Sequence, residues 1–304
     1  MAHNVEGYAE TLMGDYAQPG DRPQRHGTGL MALGSLWTVV VTLGAILGNR
    51  TYGSRLRLLV DYLRIGAAYA RAGWRTTQVG VVRCAGFRVS YRHARSIYTT
   101  FKEVFIGEDY YFEDLPKQPF IMDCGANIGM ATLFFRRLRP HAQIVAIEPS
   151  PSSLDLLTRN LRENEIDGVR VVEAALSDRD GTATFLEEYP AGVSNRLSND
   201  GQVSVQTLRL SALLDHPVDL LKVDVEGMEV LVLEELERSG KFDLVARVVV
   251  EYGLHTTPAP DALSSLLALF ERNSFRYAID ARSGRPIDAF QSVTIRAWRC
   301  GPSS

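Results

Sequence analysis

Ten residues constrain this chain more than any others: Phe120-Ile121-Met122-Asp123-Cys124-Gly125-Ala126-Asn127-Ile128-Gly129. An apolar run meets an acid and then a glycine turn. An amphipathic helix follows, with Met130, Leu133, Phe134 and Leu138 inward and Arg136, Arg137 and Arg139 outward. Strand, tight turn and helix start in this order form the first half of a βαβ unit. Gly125 and Gly129 leave room for a ligand to approach the backbone, where a Cβ would block it. The spacing is not the G-x-G-x-x-G of a dinucleotide fold, because Asn127 stands where a further glycine would be. A strand-end acid followed by Gly-x-Asn-x-Gly suits a sulfonium nucleoside. It offers small surfaces to the methionine tail and Asp123 to the ammonium group. The competing reading is an ordinary βα turn.

Gln143–Glu148 is a second apolar strand ending in an acid, about twenty residues after the turn. Glu148 there can accept two hydrogen bonds from a ribose diol and discourages a 2′-phosphate. Pro149 ends the strand, and Ser150 or Ser152 can cap a helix with Leu154, Leu157 and Leu161 on one face. Val169–Leu176 reads as a third strand. Ser177 and Asp178 follow it, where an adenine amino group would be read, although Asp178 could equally open the turn into Thr182–Phe185. Residues 186–202 form a polar loop, and Val203–Leu210 alternates as another strand.

The second diagnostic stretch is Val218–Gly227, a buried parallel strand that closes on Asp224 and Glu226. Two acids beside one ligand site are costly unless each finds a partner or one keeps a proton. Asp224 is therefore a functional candidate, while Glu226 is either functional or a cap of the helix Met228–Glu237. Arg247–Val250 is a further strand that ends in Glu251-Tyr252, with His255 shortly after. A helix (Asp261–Asn273) and two strands (Phe275–Asp280, Gln291–Trp298) close the chain. The alternation predicts a doubly wound, mostly parallel sheet with an antiparallel edge. Ligands of such sheets bind at the carboxyl ends of strands, where Asp123, Glu148, Asp178, Asp224 and Glu251 all fall.

The N-terminal part follows other rules. Residues 1–29 are polar and broken by Gly and Pro, as in a mobile tail. Leu30–Gly48 carries no charge but is interrupted by Gly34, Gly44 and Gly48, a weak candidate for a bilayer span. From Arg50 to Arg95 the charges are arginines apart from Asp61. Leu56, Leu59, Val60, Leu63 and Ala67 repeat at helical spacing among them. Two readings stand side by side: contact of residues 30–75 with the anionic cytoplasmic face of a membrane, or packing onto the rest of the chain or a second subunit in a homodimer. Tyr98–Asp114, aromatic and acidic, reads as a substrate wall or as packing. Val79–Tyr91 reads as one or two short strands.

The hydrophobic content of 45% in 304 residues allows a sizeable core. A net charge of −3 argues against a nucleic-acid binder. Cys84, Cys124 and Cys300, odd in number and far apart, form neither a disulfide framework nor a metal cluster, which points to a reducing, cytoplasmic setting.

Asp123–Gly129, Ile147-Glu148-Pro149, Ala175–Asp178, Thr207-Leu208 and Leu221-Lys222-Val223-Asp224-Val225-Glu226-Gly227 with Glu251 together resemble the FkbM family of S-adenosylmethionine-dependent methyltransferases. The resemblance covers about residues 79 to 299, and Lys-x-Asp-x-Glu-Gly is its most specific element. It implies a class I, Rossmann-like methyltransferase domain over residues 79–304 with a seven-stranded sheet; the helices expected over residues 30–78 rest on their own periodicity, and the resemblance does not explain the first eighty residues. It also implies O-methylation of a hydroxyl on a sugar, glycolipid or polyketide-type small molecule. Carried over, Asp123, Gly125, Asn127 and Gly129 would hold the methionine part of the cofactor, Glu148 the ribose, and Ser177 and Asp178 the adenine. Asp224 and Glu226 would face the acceptor. The family often has a histidine beside the acid matching Glu251, whereas Tyr252 follows here and His255 comes later. A hydroxyl acceptor needs a base, for which the order is Asp224, Glu251, Glu226, His255. A divalent ion on Asp224 and another acid is the alternative, although no compact metal motif is visible. Rival readings are an NAD-dependent nucleotide-sugar enzyme and a non-catalytic, membrane-attached scaffold.

Overall fold

The computed structural model describes residues 40–72, 79–187, 195–253, 262–281 and 292–299. The expected tail over residues 1–29, the first part of the uncharged run and His255 lie outside them.

After helical residues 40–48 comes α1 (Arg55–Ala72), then the antiparallel hairpin of β1 (Gly80–Cys84) and β2 (Phe87–Tyr91), then α2 (Ala94–Phe101). The βα alternation begins with β3 (Phe120–Cys124), α3 (Met130–Leu138), β4 (Gln143–Glu148), α4 (Pro151–Glu163) and β5 (Val169–Glu173). Four short strands follow: β6 (Ala175–Ser177), β7 (Gly181–Leu186), β8 (Arg196–Leu197) and β9 (Val203–Arg209). The chain closes with β10 (Leu220–Val223), α5 (Glu229–Arg238), β11 (Arg247–Gly253), α6 (Ala262–Arg272), β12 (Phe275–Ala281) and β13 (Ser292–Arg299).

Seven strands make one sheet in the order β12-β13-β11-β10-β3-β4-β5. β13 runs antiparallel to both its neighbours, and every other pairing is parallel. This is the class I methyltransferase arrangement implied by the resemblance. Because strand side chains alternate between faces, the apolar strands feed two cores. Ile121, Ile144, Leu220 and Val249 pack on one face with Phe101 and Phe134. Met122, Val145, Leu221 and Val248 pack on the other with Val232 of α5 and Leu266 of α6. Each such fully buried side chain contributes about 1.5–3 kcal/mol. Ser150 is the residue that caps α4, its Oγ accepting from the Ser153 amide at 3.2 Å, with Pro151 in the first turn.

The single third strand expected over Val169–Leu176 is divided. β5 stays at the edge of the large sheet, while β6 leaves it to pair in parallel with β9 in a second sheet of order β6-β9-β7-β8. Among the described residues no strand lies beyond β5, and β9 satisfies the backbone groups of β6.

The extension packs into the same core as the sheet. Tyr52, Leu58 and Ile65 join Ile97, Phe101 and Phe134. α1 turns Leu58, Asp61 and Ile65 inward, whereas Leu56, Val60 and Leu63 of the stripe noted in the sequence face solvent. In Tyr98–Asp114 the expected packing is present, with Phe101, Phe105 and Ile106 as core residues, and Glu103 and Tyr110 reach the cavity described next. No helix among the described residues is long and apolar enough to cross a membrane.

Candidate active site

A cavity of about 500 Å³ opens beyond the carboxyl ends of β3, β4, β10 and β11, and α2 forms its opposite wall. Its floor is organised around a buried lysine. Lys222 and Asp123 are register partners on adjacent parallel strands, so their side chains leave the sheet on the same face. The Lys222 ammonium lies 3.4 Å from Asp123 Oδ1 and 3.2 Å from Asp224 Oδ2. It also donates to the Gly125 carbonyl at 2.7 Å and stands 5.5 Å from the centre of the Tyr110 ring. Burial opposes the lysine charge, but Asp224 and Asp123 outweigh it and hold the pKa above the ordinary value.

Acids crowd around this cation. Glu226 lies in the left-handed region at φ +51°, which turns the chain after β10 and brings its carboxyl into the cavity lining. Burial and next the charge of Asp224 push it up to about 9. Glu251 at the end of β11 is raised well above the usual carboxylate range by burial and then by Asp224. It accepts a hydrogen bond from the Tyr110 hydroxyl at 3.0 Å. At the other end, Glu148 is 6% exposed and fixed by the amides of Asn127 (2.8 Å) and Ser150 (2.9 Å). Burial pushes it up to about 7 against the pull of those amides. Glu229, also in the lining, is pushed up to about 7 by burial, although its carboxylate accepts from Gly227 and Val225.

The cavity brings together Gly125, Asn127, Glu148, Asp224, Glu226 and Glu251 of the sequence-predicted set. The rest are placed differently. Asp123 is completely buried, accepts from Thr132 Oγ1 at 2.7 Å and faces Lys222 from behind the floor. The space a Cβ would take at Gly125 (φ +83°) holds the carbonyl oxygen of Asp224, 1.8 Å away, and at Gly129 (φ +91°) it holds Leu157 Cδ1 at 2.7 Å. At both glycines the missing Cβ makes room for neighbouring parts of the chain, and Gly125 still lines the cavity. Ser177 and Asp178 fall just past the wall that Ala174, Ala175 and Leu176 provide, and Asp178 lies 3.5 Å from Arg179. Neither Glu226 nor any other side chain caps the start of α5; the Glu229 carboxylate accepts instead from the Val225 and Gly227 amides of the preceding turn.

Two site residues carried no role in the sequence. Lys222 stood in the motif without one, and only its place beside Asp123 on β3 supplies it. Glu229 was simply part of the helix after Gly227, whereas Tyr110 belongs to the segment expected as a wall or as packing. A lysine between apolar residues of a central strand was the usable signal, since a lysine is almost never fully buried without a partner. Among the described residues, no group of three His, Cys, Asp or Glu side chains converges as a metal ion would require.

Residues 123–277, just over half the chain, match the Methyltransferase FkbM domain. The methyltransferase sdnD of Sordaria araneosa is 32% identical over 253 residues, 70% of this chain and 94% of that protein. The 2-O-methyltransferase NoeI of Sinorhizobium fredii is 32% identical over 134 residues, 36% of this chain and 54% of that protein. The 31-O-demethyl-FK506 methyltransferase FkbM of Streptomyces tacrolimicus is 25% identical over 229 residues, 62% of this chain and 86% of that protein. Neither the NAD-dependent reading nor the non-catalytic one finds support in these relatives. With the strand order of a class I methyltransferase and a matched domain that runs from the first strand-end acid past Glu251, this chain belongs to the FkbM family of S-adenosylmethionine-dependent methyltransferases.

Proposed function

We propose that this protein O-methylates a hydroxyl of a sugar, glycolipid or polyketide-type small molecule, with Asp224 as the base. The observation that carries this reading is that Glu148 and Asp224 enter one cavity from the ends of different strands.

The residues present fit the cofactor. Six acids line the cavity (Glu103, Glu148, Asp224, Glu226, Glu229 and Glu251) against Arg95 and Lys222, and the lysine is already engaged. A ligand bearing sulfonium and ammonium charge suits such a lining. Glu148, fixed through its two backbone donors, would hold the ribose hydroxyls. The turn from Gly125 to Gly129 would receive the methionine part, and Ala174–Leu176 would flank the base. When bound, the cofactor supplies an electrophilic methyl group for in-line displacement.

The chain's own part is to align the acceptor and take its proton. Proximity accounts for much of the acceleration in such a displacement. Asp224, held 3.2 Å from the Lys222 ammonium, accepts the hydroxyl proton as the oxygen–methyl bond forms. Glu226 keeps its own proton at neutral pH and acts as a hydrogen-bond donor, and Tyr110 steadies Glu251. The α2 wall, with Ser96, Thr99 and Thr100, offers hydroxyls to a polar acceptor. The names of NoeI, a 2-O-methyltransferase, and of the 31-O-demethyl-FK506 enzyme support oxygen as the accepting atom.

Asp224→Ala is expected to abolish transfer of radiolabelled methyl groups to fractionated lipids, glycans and metabolites. S-adenosylhomocysteine should still bind in calorimetry, and NAD should not. Turnover of Asp224→Ala at the wild-type rate would mean that another group takes the proton.

A further inference from the structure

Helix α1 carries two apolar stripes, and the fold uses only one of them. Leu58, Asp61 and Ile65 face the core, and Tyr62 and Tyr69 meet Tyr98 of α2, the former through a 2.7 Å hydroxyl contact and the latter by stacking at 5.4 Å. On the opposite side, Leu56, Val60 and Leu63 are 71%, 43% and 58% exposed. Their spacing of four and then three residues puts them on one line along the helix. Upstream, residues 40–48 also expose Val40, Val41 and Leu47. Arg50, the single charged residue between that stretch and α1, is paired with Glu113 at 2.6 Å, so the basic charge next to the ridge is carried by α1.

The charges beside the ridge share one sign. At 100° per residue, Arg57 and Arg71 fall along one flank of the Leu56–Val60–Leu63 line, with Arg64 between them bound to Asp61 and to the Arg83 carbonyl. Asp61, the sole acid of the helix, is turned inward and committed. It accepts from the Tyr52 hydroxyl, from the Ala85 amide at 3.0 Å and from Arg64 at 2.6 Å. The outer face of α1 is thus an apolar ridge with a basic border and no exposed acid.

We propose that this face docks on an anionic lipid surface, the ridge entering the headgroup–acyl boundary while the arginines meet lipid phosphates. An apolar line with long basic side chains beside it is the pattern of helices that lie in a membrane interface, because arginine stems lie along the apolar layer while their heads stay among the phosphates. Charge complementarity selects this occupant over a second copy of the chain, which would set arginine borders against each other. The packing of the buried stripe against α2 fixes α1 on the protein, so docking needs no refolding. This proposal concerns where the protein works and stands apart from the choice of Asp224 as base.

The test is flotation of the full chain with vesicles of phosphatidylcholine alone and with vesicles of equal parts phosphatidylcholine and phosphatidylglycerol. The protein is expected to float with the mixed vesicles only, and high salt should weaken this binding. Leu56→Ser/Leu63→Ser should lower the affinity more than about tenfold through lost apolar burial. Arg57→Gln/Arg71→Gln should lower it about thirtyfold, at about 1 kcal/mol for each arginine. Both double variants should keep the wild-type melting temperature and S-adenosylhomocysteine affinity, which shows that the fold and the cofactor site are intact. Wild-type protein that stays out of the mixed vesicles would overturn the proposal, and so would variants that float as the wild type does. A wild-type dimer in analytical ultracentrifugation that Leu56→Ser/Leu63→Ser dissociates would overturn it in favour of a second copy.

Discussion

At Gly125 a methyl group would lie 1.8 Å from the carbonyl oxygen of Asp224, at a φ of +83° that side chains rarely adopt. Neither backbone can yield without opening the β3–β10 junction. Gly125→Ala is therefore expected to cost about 3 kcal/mol or more, read from the midpoint of urea unfolding. Gly129→Ala meets only the mobile end of Leu157 and should cost about 1–2 kcal/mol, mostly for the left-handed backbone. Equal costs would mean that the Asp224 carbonyl is not the obstacle. Glu226 allows a second test at this scale. Its proton is held up to about 9 by burial and by Asp224, so Glu226→Gln should keep most of the turnover at pH 7, while a base at this position would be lost. A collapse of the methyl-transfer rate in Glu226→Gln would transfer the role of base to it. The strand-end position of Glu148 and Asp224 could be read from the sequence, since an acid after an apolar run marks where the strand leaves the core. The bond from the Gly227 amide to Glu229 could not, because it depends on the turn that Glu226 makes with its positive φ.

Between elements, Asn160 on α4 is the fully buried member of a group of side chains, with Asn164 and Arg137, that join the N-terminal hairpin to the sheet domain. The Asn160 Oδ1 accepts from the Ser90 amide at 2.7 Å, and its Nδ2 donates to the carbonyls of Ser90 (3.1 Å) and Ile128 (2.9 Å). It therefore ties β2, the turn after β3 and α4 at one point. Asn160→Ala leaves those buried backbone groups without partners and should cost about 2–4 kcal/mol. Amide hydrogen exchange should show protection lost in Gly80–Tyr91 before it is lost in β3. If both segments exchange together, the hairpin and the sheet form one cooperative unit at that point. The βαβ periodicity made β3, β4, β10 and their helices legible, since each is decided by residues next to it in sequence. The departure of β6 from the line of β5 was not legible, because its partner β9 lies some thirty residues downstream and local pattern carries no information about it.

For the molecule as a whole, the crowded carboxyls make stability depend on pH. Glu148 and Glu229 are raised from 4.5 to about 7 and Glu226 to about 9, and Glu251 is raised well above its usual range, with burial the largest cause each time. Between the unfolded and folded values the native state holds protons that the unfolded chain has lost. Stability is then full below the unfolded value and declines as pH rises through the folded ones. The melting temperature is expected to fall from pH 5.5 to pH 8.5, with about 1.4 kcal/mol lost for each tenfold gain in proton affinity on folding. The cationic cofactor should raise it more at pH 8.5 than at pH 6, because it favours the ionised acids. Differential scanning calorimetry with and without S-adenosylmethionine checks both signs, and a melting temperature that rises across this range would show that the acids are ionised in the folded cavity.

The sequence alone determined the sheet, its mostly parallel direction, the strand-end acids and the family, because those features are written in local periodicity and in motifs a few residues long. It also showed that α1 carries a helical apolar stripe, although not which way that stripe points. Tertiary structure decided that Lys222 lies between Asp123 and Asp224, that both motif glycines make room for neighbouring chain, and that α1 turns Leu58 and Ile65 inward and leaves Leu56 and Leu63 outside. Each of these depends on which segments become neighbours across the sheet. That choice is made by the burial of whole faces, and no local stretch of sequence records it.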